Sequence, residues 1–441
     1  MTKTNRADKK LHRAWSMYDW ANSAYNLVIT ATIFPIYYLA ITGDGNDATP
    51  DYVSFFGWNL INSALLNYAL AFAYLVIAIL SPILSSIADY KGNKKRFMQL
   101  FCYLGSVSCC GMYFFYPGNV EFGVILAILA AIGYCGSLVF YNAFLPEIIE
   151  PEGRDKLSAR GYAYGYIGSV VLQVICFAFV MMTFEDATFA PRLSFLLVGL
   201  WWLVFAQIPF RVLPLGTPIV KDFKHSVLSN GFRELKKVWN QIKEMPFLKS
   251  YLTAFFFYSM GVQTVMLASA EFASKEIKKE VDGQWVNMEA KDLIITILII
   301  QLVAILGAML MARLSRLIGN IRVLMLTVSL WIGICIAAYF IHTALHFYLI
   351  ATVIGLVMGG IQSMSRSTYS KIMPPTRDTA SFFSFYDVTE KLAIVIGMFS
   401  FGFIEHITGN MRNSIFALTG FFILGFIFLM ITNKKGKLVS T

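Results

Sequence analysis

Twelve apolar runs divide this chain, each long enough to cross roughly 30 Å of hydrocarbon as a helix. No other feature constrains the fold as strongly. A backbone in lipid must satisfy its own hydrogen bonds, so it crosses only as helices or as a closed barrel. Runs of this length predict helices over 17–41, 62–88, 97–116, 119–144, 159–182, 193–213, 249–273, 292–314, 322–342, 344–369, 381–404 and 412–432. With 57% hydrophobic and only 14% charged residues among 441, a soluble domain is excluded. The expectation is an all-α integral membrane protein. The N-terminus is polar and basic up to Arg13, and no small-residue cleavage site follows, so no removable signal peptide is expected.

Loop charge sets the expected orientation, because basic loops resist translocation. If the N-terminus is cytoplasmic, 29 Lys and Arg fall on that side and six opposite (Arg192, Lys275, Lys278, Lys279, Lys291 and Arg412), with Lys391 inside a span. Both termini are therefore expected inside. Dispersed this way, the net charge of +10 reflects membrane topology rather than nucleic-acid binding.

The longest cytoplasmic connection, 214–248, separates the helices six and six. The expected domains are an N-terminal six-helix bundle (1–213), this linker, and a C-terminal six-helix bundle (249–441). The halves echo one another. Ile87-Ala88-Asp89-Tyr90-Lys91-Gly92-Asn93 recurs as Leu314-Ser315-Arg316-Leu317-Ile318-Gly319-Asn320, and Arg154-Asp155-Lys156-Leu157-Ser158 as Arg377-Asp378-Thr379-Ala380-Ser381. Two echoes at nearly one offset favour duplication of a six-helix unit, hence two pseudo-symmetric bundles.

Helix 1 carries a polar stripe. At 100° per residue Asp19, Asn22, Ser23, Asn26, Thr30 and Tyr37 share an arc of roughly 100°. Burying an unpaired amide or hydroxyl costs on the order of 2 kcal/mol, so the stripe is expected to meet a cavity or polar partners. Helix 11 places Asp387, Glu390 and Lys391 on one face. A lone charge at such depth costs about 3 kcal/mol, so these need partners. Asp387 and Lys391, four apart, can neutralise each other. Glu390 is left over, and Arg366, sharing a face of helix 10 with Gln362, is its candidate partner. Helix 5 supplies Tyr162, Tyr166, Ser169 and Gln173, and helix 4 supplies Tyr134, Ser137 and Tyr141.

The turn Ser85-Ser86-Ile87-Ala88-Asp89-Tyr90-Lys91-Gly92-Asn93-Lys94-Lys95-Arg96 packs an acid, a glycine and four bases between two apolar runs. No nucleophile elbow, Walker sequence, metal-ligand pair or haem site occurs in a fitting context. The six cysteines all lie in apolar runs without ligand spacing. No catalytic residue, metal or cofactor is expected, and the chain is not expected to be an enzyme.

The Asp89 turn resembles the loop between the second and third helices of the major facilitator superfamily, with Ser85 in place of the first glycine. Three further stretches resemble one branch of it, the "unknown major facilitator" family that includes vacuolar amino-acid effluxers linked to autophagy. They are Tyr18-Asp19-Trp20-Ala21-Asn22-Ser23-Ala24-Tyr25 with Phe34-Pro35; Tyr141-Asn142-Ala143-Phe144-Leu145-Pro146-Glu147; and Gly359-Gly360-Ile361-Gln362-Ser363-Met364-Ser365-Arg366 through Pro374-Pro375 to Phe385-Tyr386-Asp387 and Lys391. The resemblance implies the superfamily fold, a central cavity lined by helices 1, 4, 7 and 10, and export of small organic solutes such as amino acids, often coupled to protons.

The resulting expectation is a secondary transporter that moves a small polar or zwitterionic solute by alternating access. Asp19 is the first candidate for substrate amine or proton binding. Asn22, Asn26, Tyr141 and Gln362 form the hydrogen-bonding wall, Arg366 is the anion partner, and Asp387 and Lys391 complete the site. Asp89, Gly92, Lys94, Lys95 and Arg96 are assigned to a cytoplasmic gate. The expected setting is the plasma (bacterial inner) membrane, before the vacuolar one, with the chain acting as a monomer. The rivals are a lipid-like or drug-like cargo on the same fold, and a non-transporting sensor or scaffold.

Overall fold

The computed structural model describes residues 3–43, 51–182, 188–216, 227–281 and 283–439. Among the described residues, twelve helices are long and apolar enough to span a membrane. They are spans 1 (Ala7–Thr42), 2 (Asn62–Lys91), 3 (Lys94–Phe114), 4 (Val120–Ile148), 5 (Pro151–Phe179), 6 (Phe189–Val212), 7 (Pro246–Ser269), 8 (Lys291–Ile318), 9 (Asn320–Phe340), 10 (Ala344–Ile372), 11 (Thr379–Thr408) and 12 (Met411–Gly436).

By contact the chain forms two compact units. The first comprises Met1–Phe144 and Ile167–Phe232, and the second Leu145–Tyr166 and Arg233–Thr441. Span 5 is shared, its start belonging to the second unit.

In the first unit, spans 2 and 3 are separated by a tight reversal at Gly92, whose left-handed φ of 61° suits a residue without a side chain. Span 1 departs from the expected continuous α-helix: Tyr25–Ile33 is π-helical. The wider turn re-aims everything beyond Tyr25, so the 100° stripe holds only over its first turns. Tyr37 donates to the Phe115 carbonyl at 2.7 Å, and Thr32, outside the predicted stripe, donates to Gln173 Oε1 at 3.0 Å.

In the second unit, spans 8 and 10 approach backbone to backbone. A Cβ placed on Gly307, Gly355 or Gly359 would stand 2.0, 2.6 or 2.0 Å from the carbonyl oxygens of Leu356, Ile300 and Ala304. Small residues at such crossings replace hydrophobic driving force with close packing in lipid. At one end Arg412, buried, donates to the Glu276 carboxylate at 2.7 Å and to the carbonyls of Glu276, Tyr339 and Ile341.

Two of the connections between predicted helices contain antiparallel hairpins: β1 (Tyr52–Phe55) with β2 (Trp58–Ile61), and β3 (Lys278–Val281) with β4 (Gln284–Asn287). Beside the second, Lys279 bonds Asp292 at 2.7 Å, which holds its ammonium above its ordinary value. Glu289 caps span 8, and hydrogen bonds from Lys291 and Lys279 hold its carboxyl below the usual range. The linker contains an amphipathic helix, Val227–Glu244, whose Trp239 stacks on Phe385 and whose Lys237 pairs with Asp378 at 3.2 Å.

Candidate functional site

The helix-1 candidates lie in the first unit. Asp19 is buried and accepts from the Tyr141 hydroxyl at 2.7 Å. Tyr141 is fixed in turn by Trp15, whose ring stacks on it at 4.4 Å and whose indole donates to its carbonyl. Asn22 is buried with Nδ2 lacking a hydrogen-bond partner among the described residues, and the same holds for Gln173 Nε2. Asn26 is half-buried. Buried amide donors left open are uncommon and mark places where a ligand or water completes the set.

The gate candidates lie at the turn between spans 2 and 3. Lys94 and Asp89, both buried, pair at 3.5 Å, Lys95 donates to the Leu213 carbonyl at 2.8 Å, and Arg96 is exposed. Gly92 caps span 2.

A second constellation stands at the start of span 5, where spans 8, 9 and 10 meet it. Asp155 accepts from Ser315, from Asn320 at 2.7 Å and from the Lys371 ammonium. Arg154 donates to the Ser370, Ile149 and Pro146 carbonyls. One turn on, Ser158 donates to the Ser363 carbonyl at 2.8 Å, and Thr379 donates to Glu147. Sequence reading registered Arg154, Asp155, Ser158, Ser315, Asn320 and Thr379 through the echoes, Lys371 as loop charge, and Glu147 and Ser363 within the stretches quoted for the resemblance.

Arg366 is among the largest fully buried side chains. Its Nε and Nη2 donate to the hydroxyl and carbonyl of Ser158 at 3.0 and 2.9 Å, and the guanidinium lies 4.2 Å from the Tyr162 ring centroid. The expected pairing with Glu390 is not what the structure presents. Glu390 accepts from Gln263 Nε2 at 2.8 Å and pairs with Lys391 at 3.2 Å, while Lys391 also pairs with Asp387 at 3.4 Å.

These groups border a cleft of about 260 Å³ in the second unit, lined by polar side chains including Tyr162, Ser259, Gln263, Gln362, Ser365 and Glu390. The Tyr166 hydroxyl orients Gln362 through its Oε1 at 2.7 Å, and Tyr258 bonds Ser365 at 2.7 Å. Span 7 contributes Tyr258, Ser259 and Gln263, none anticipated from sequence: uncharged residues within an apolar run give only the four-residue spacing of Ser259 and Gln263 as a signal. Asp387 and Lys391 adjoin the cleft through Glu390; Asp19, Asn22, Asn26 and Tyr141 belong to the other unit.

The model of the family described as "Vacuole effluxer Atg22 like" matches residues 7–439. The chain is 29% identical to the MFS-type transporter YxiO of Bacillus subtilis (strain 168), covering 95% of this chain and 94% of that one. It is 23% identical to autophagy-related protein 22 of Yarrowia lipolytica, covering 87% and 78%. Among solved structures it is similar to the major facilitator transporter FucP of E. coli, in an outward conformation (TM-score 0.68, 14% identity, 96% and 98% covered). It is also similar to a bacterial homologue of ferroportin (TM-score 0.66, 11% identity, 97% and 99% covered). At these identities the structures speak for the fold. A match over nearly the whole chain, on twelve spanning helices of this architecture, makes the protein a member of the Atg22-like vacuole-effluxer family of major facilitator transporters, an integral membrane carrier rather than an enzyme.

Proposed function

We propose that the protein is a secondary transporter that exports a small polar or zwitterionic solute of amino-acid type by alternating access. The observation that carries this reading is the polar cleft of the second unit. Its walls offer amide, hydroxyl and carboxylate groups, with a buried guanidinium nearby. Such groups in a membrane interior are expensive and mark substrate pathways. Asp19, Asn22, Asn26 and Tyr141 are assigned as the polar contribution of the first unit, and Asp89 with Lys94 as a gate element. The family's description as vacuole effluxers accords with an efflux role.

A lipid-like cargo is the second reading, favoured by a separate apolar pocket lined by residues such as Phe272, Phe347, Ile354 and Phe401. Counterflow in proteoliposomes decides between them. Preloaded with a mixture of unlabelled amino acids, vesicles are expected to accumulate at least one labelled member; no accumulation of any would refute the amino-acid reading. We also place the protein in a bacterial inner membrane as a monomer, termini and linker cytoplasmic. Labelling of cysteines introduced at Lys236 and Gln284 should then occur from inside and outside respectively, and the reverse pattern would invert the topology.

A further inference from the structure

Three charges stand within five consecutive residues of span 11. Asp387 and Lys391 are buried and Glu390 is half-buried. The Lys391 ammonium lies 3.4 Å from Asp387 Oδ1 and 3.2 Å from Glu390 Oε2. One cation therefore serves two carboxylates. With all three ionised the group carries one excess negative charge, at a depth where an uncompensated charge costs about 3 kcal/mol by insertion scales. Asp387 Oδ2 supplies an independent sign of the imbalance: it is buried and has no hydrogen-bond partner among the described residues. A buried ionised oxygen without a donor is more costly than a neutral one, and such an atom calls for an unseen hydrogen or cation.

Among the described residues, no cation besides Lys391 pairs with Asp387 or Glu390. From span 7 come the Gln263 amide, donating to Glu390, and the neutral Tyr258. From span 10 comes Arg366, which donates to Ser158 and lies against Tyr162 of span 5. Span 12 has no ionisable side chain between Ser414 and Thr432. Glu390 meanwhile opens onto the cleft, whose lining includes the rings of Tyr162, Tyr258 and Tyr386. A carboxylate among aromatic rings is a setting that favours an organic ammonium, which gains from both.

We propose that Asp387, Glu390 and Lys391 form a site for one exchangeable positive charge: a proton on Asp387 when the cleft is empty, and the ammonium group of a small solute when it is loaded. The proposal rests on the small-solute reading above and names the group recognised. On loading, ammonium N–H groups form hydrogen bonds to Glu390, the O–H bond of Asp387 breaks, and its proton passes to water. No electrons are transferred. The site is neutral before and after, since one cation replaces another. Amine and proton therefore exclude one another, and movement of the amine in one direction is exchanged for a proton in the other.

The test uses full-length protein in nanodiscs and infrared difference spectroscopy of the carboxylic-acid C=O stretch at neutral pH, with melting curves to confirm folding. The wild type is expected to show a protonated carboxyl that disappears in Asp387→Asn. It should disappear equally in Glu390→Gln, because removing either carboxylate leaves a neutral pair. Lys391→Met should gain a second protonated carboxyl. If Asp387→Asn does not fold, Glu390→Gln carries the test, and an unchanged band in that variant overturns the site. In the second arm a mixture of proteinogenic amino acids is compared with the matching 2-hydroxy acids, which lack the amine. The amino acids are expected to abolish the band and release protons to a pH dye, with apparent affinity weakening about tenfold per unit of acidification. The hydroxy acids should do neither. A band that behaves as stated but ignores the amino acids overturns the amine assignment alone. Amino-acid counterflow with an unaltered band in both variants overturns the triad and leaves the transport reading standing.

Discussion

Replacing Gly359 by alanine tests whether backbone contact between spans 8 and 10 fixes the helix that carries Gln362 and Arg366. The added Cβ would stand 2.0 Å from the Ala304 carbonyl oxygen and 2.8 Å from its carbon, both backbone atoms. Ordinary contact begins near 3.4 Å, so the two helices must part by about 1.4 Å at this point. Two effects oppose. Alanine is favoured over glycine inside a helix by about 1 kcal/mol. Overpacking costs about 1–3 kcal/mol and more where nothing can rotate away, so a net destabilisation of about 2 kcal/mol is expected. Gly402 isolates the first effect, because it lies on an exposed face of span 11 with nothing within 4 Å of its added Cβ. Gly402→Ala should therefore stabilise slightly. Melting of the two variants in one detergent, alongside counterflow, measures the contrast. Transport by Gly359→Ala should fall as well, since Gln362 and Arg366 follow it three and seven residues along the same helix. A Gly359→Ala protein that melts at or above Gly402→Ala would refute the reasoning.

Arg412→Ala strands the Glu276 carboxylate and three carbonyls, and a loss of about 3–5 kcal/mol is expected; Arg412→Lys should recover only part, lacking the planar fork, and a full recovery in the melting temperature would contradict this account. Asp19→Asn keeps an oxygen for the Tyr141 hydroxyl, so melting should shift little while counterflow falls at least about tenfold; matched losses of both would make Asp19 an anchor only. Around β3 and β4 the lowered carboxyl of Glu289 contributes stability that is present above about pH 4.3 and lost as pH falls through its folded value. The raised ammonium of Lys279 contributes below about pH 10.4 and is lost as pH rises through its folded value. Protection of the hairpin amides, corrected for the intrinsic base-catalysed rise of exchange with pH, should thus fall only outside that window, and a loss of protection near neutrality would contradict the assignment.

The spans were readable from sequence because hydrocarbon thickness imposes a single length and an apolar character on every one of them. The hairpins were not, since a four-residue strand leaves too short a pattern between turn residues. On span 1 the stripe was legible through Asn22, but the π-helical Tyr25–Ile33 changed the period on which the later assignments depended. On span 11 the spacing of Asp387 and Lys391 disclosed their pairing, whereas the partner of Glu390 required span 7 to be brought alongside, and Gln263 carries no charge to announce itself. Asp155 read as part of an echo and Lys371 as a loop charge because their pairing depends on spans 5 and 10 being brought together beside Ser315 and Asn320, far along the chain.

The start of span 5 has a kinetic consequence. Glu147, at the end of span 4, and Arg154, Asp155 and Ser158 of span 5 are fastened by separate hydrogen bonds to Thr379, Ser370, Lys371 and Ser363. Each is worth about 1–3 kcal/mol net, so releasing all of them together would raise a steep barrier. Being separate bonds, they can part in succession while their net costs still add, and a substitution at one of them alters the barrier by the worth of that bond alone, within the microsecond-to-millisecond range of helix movements.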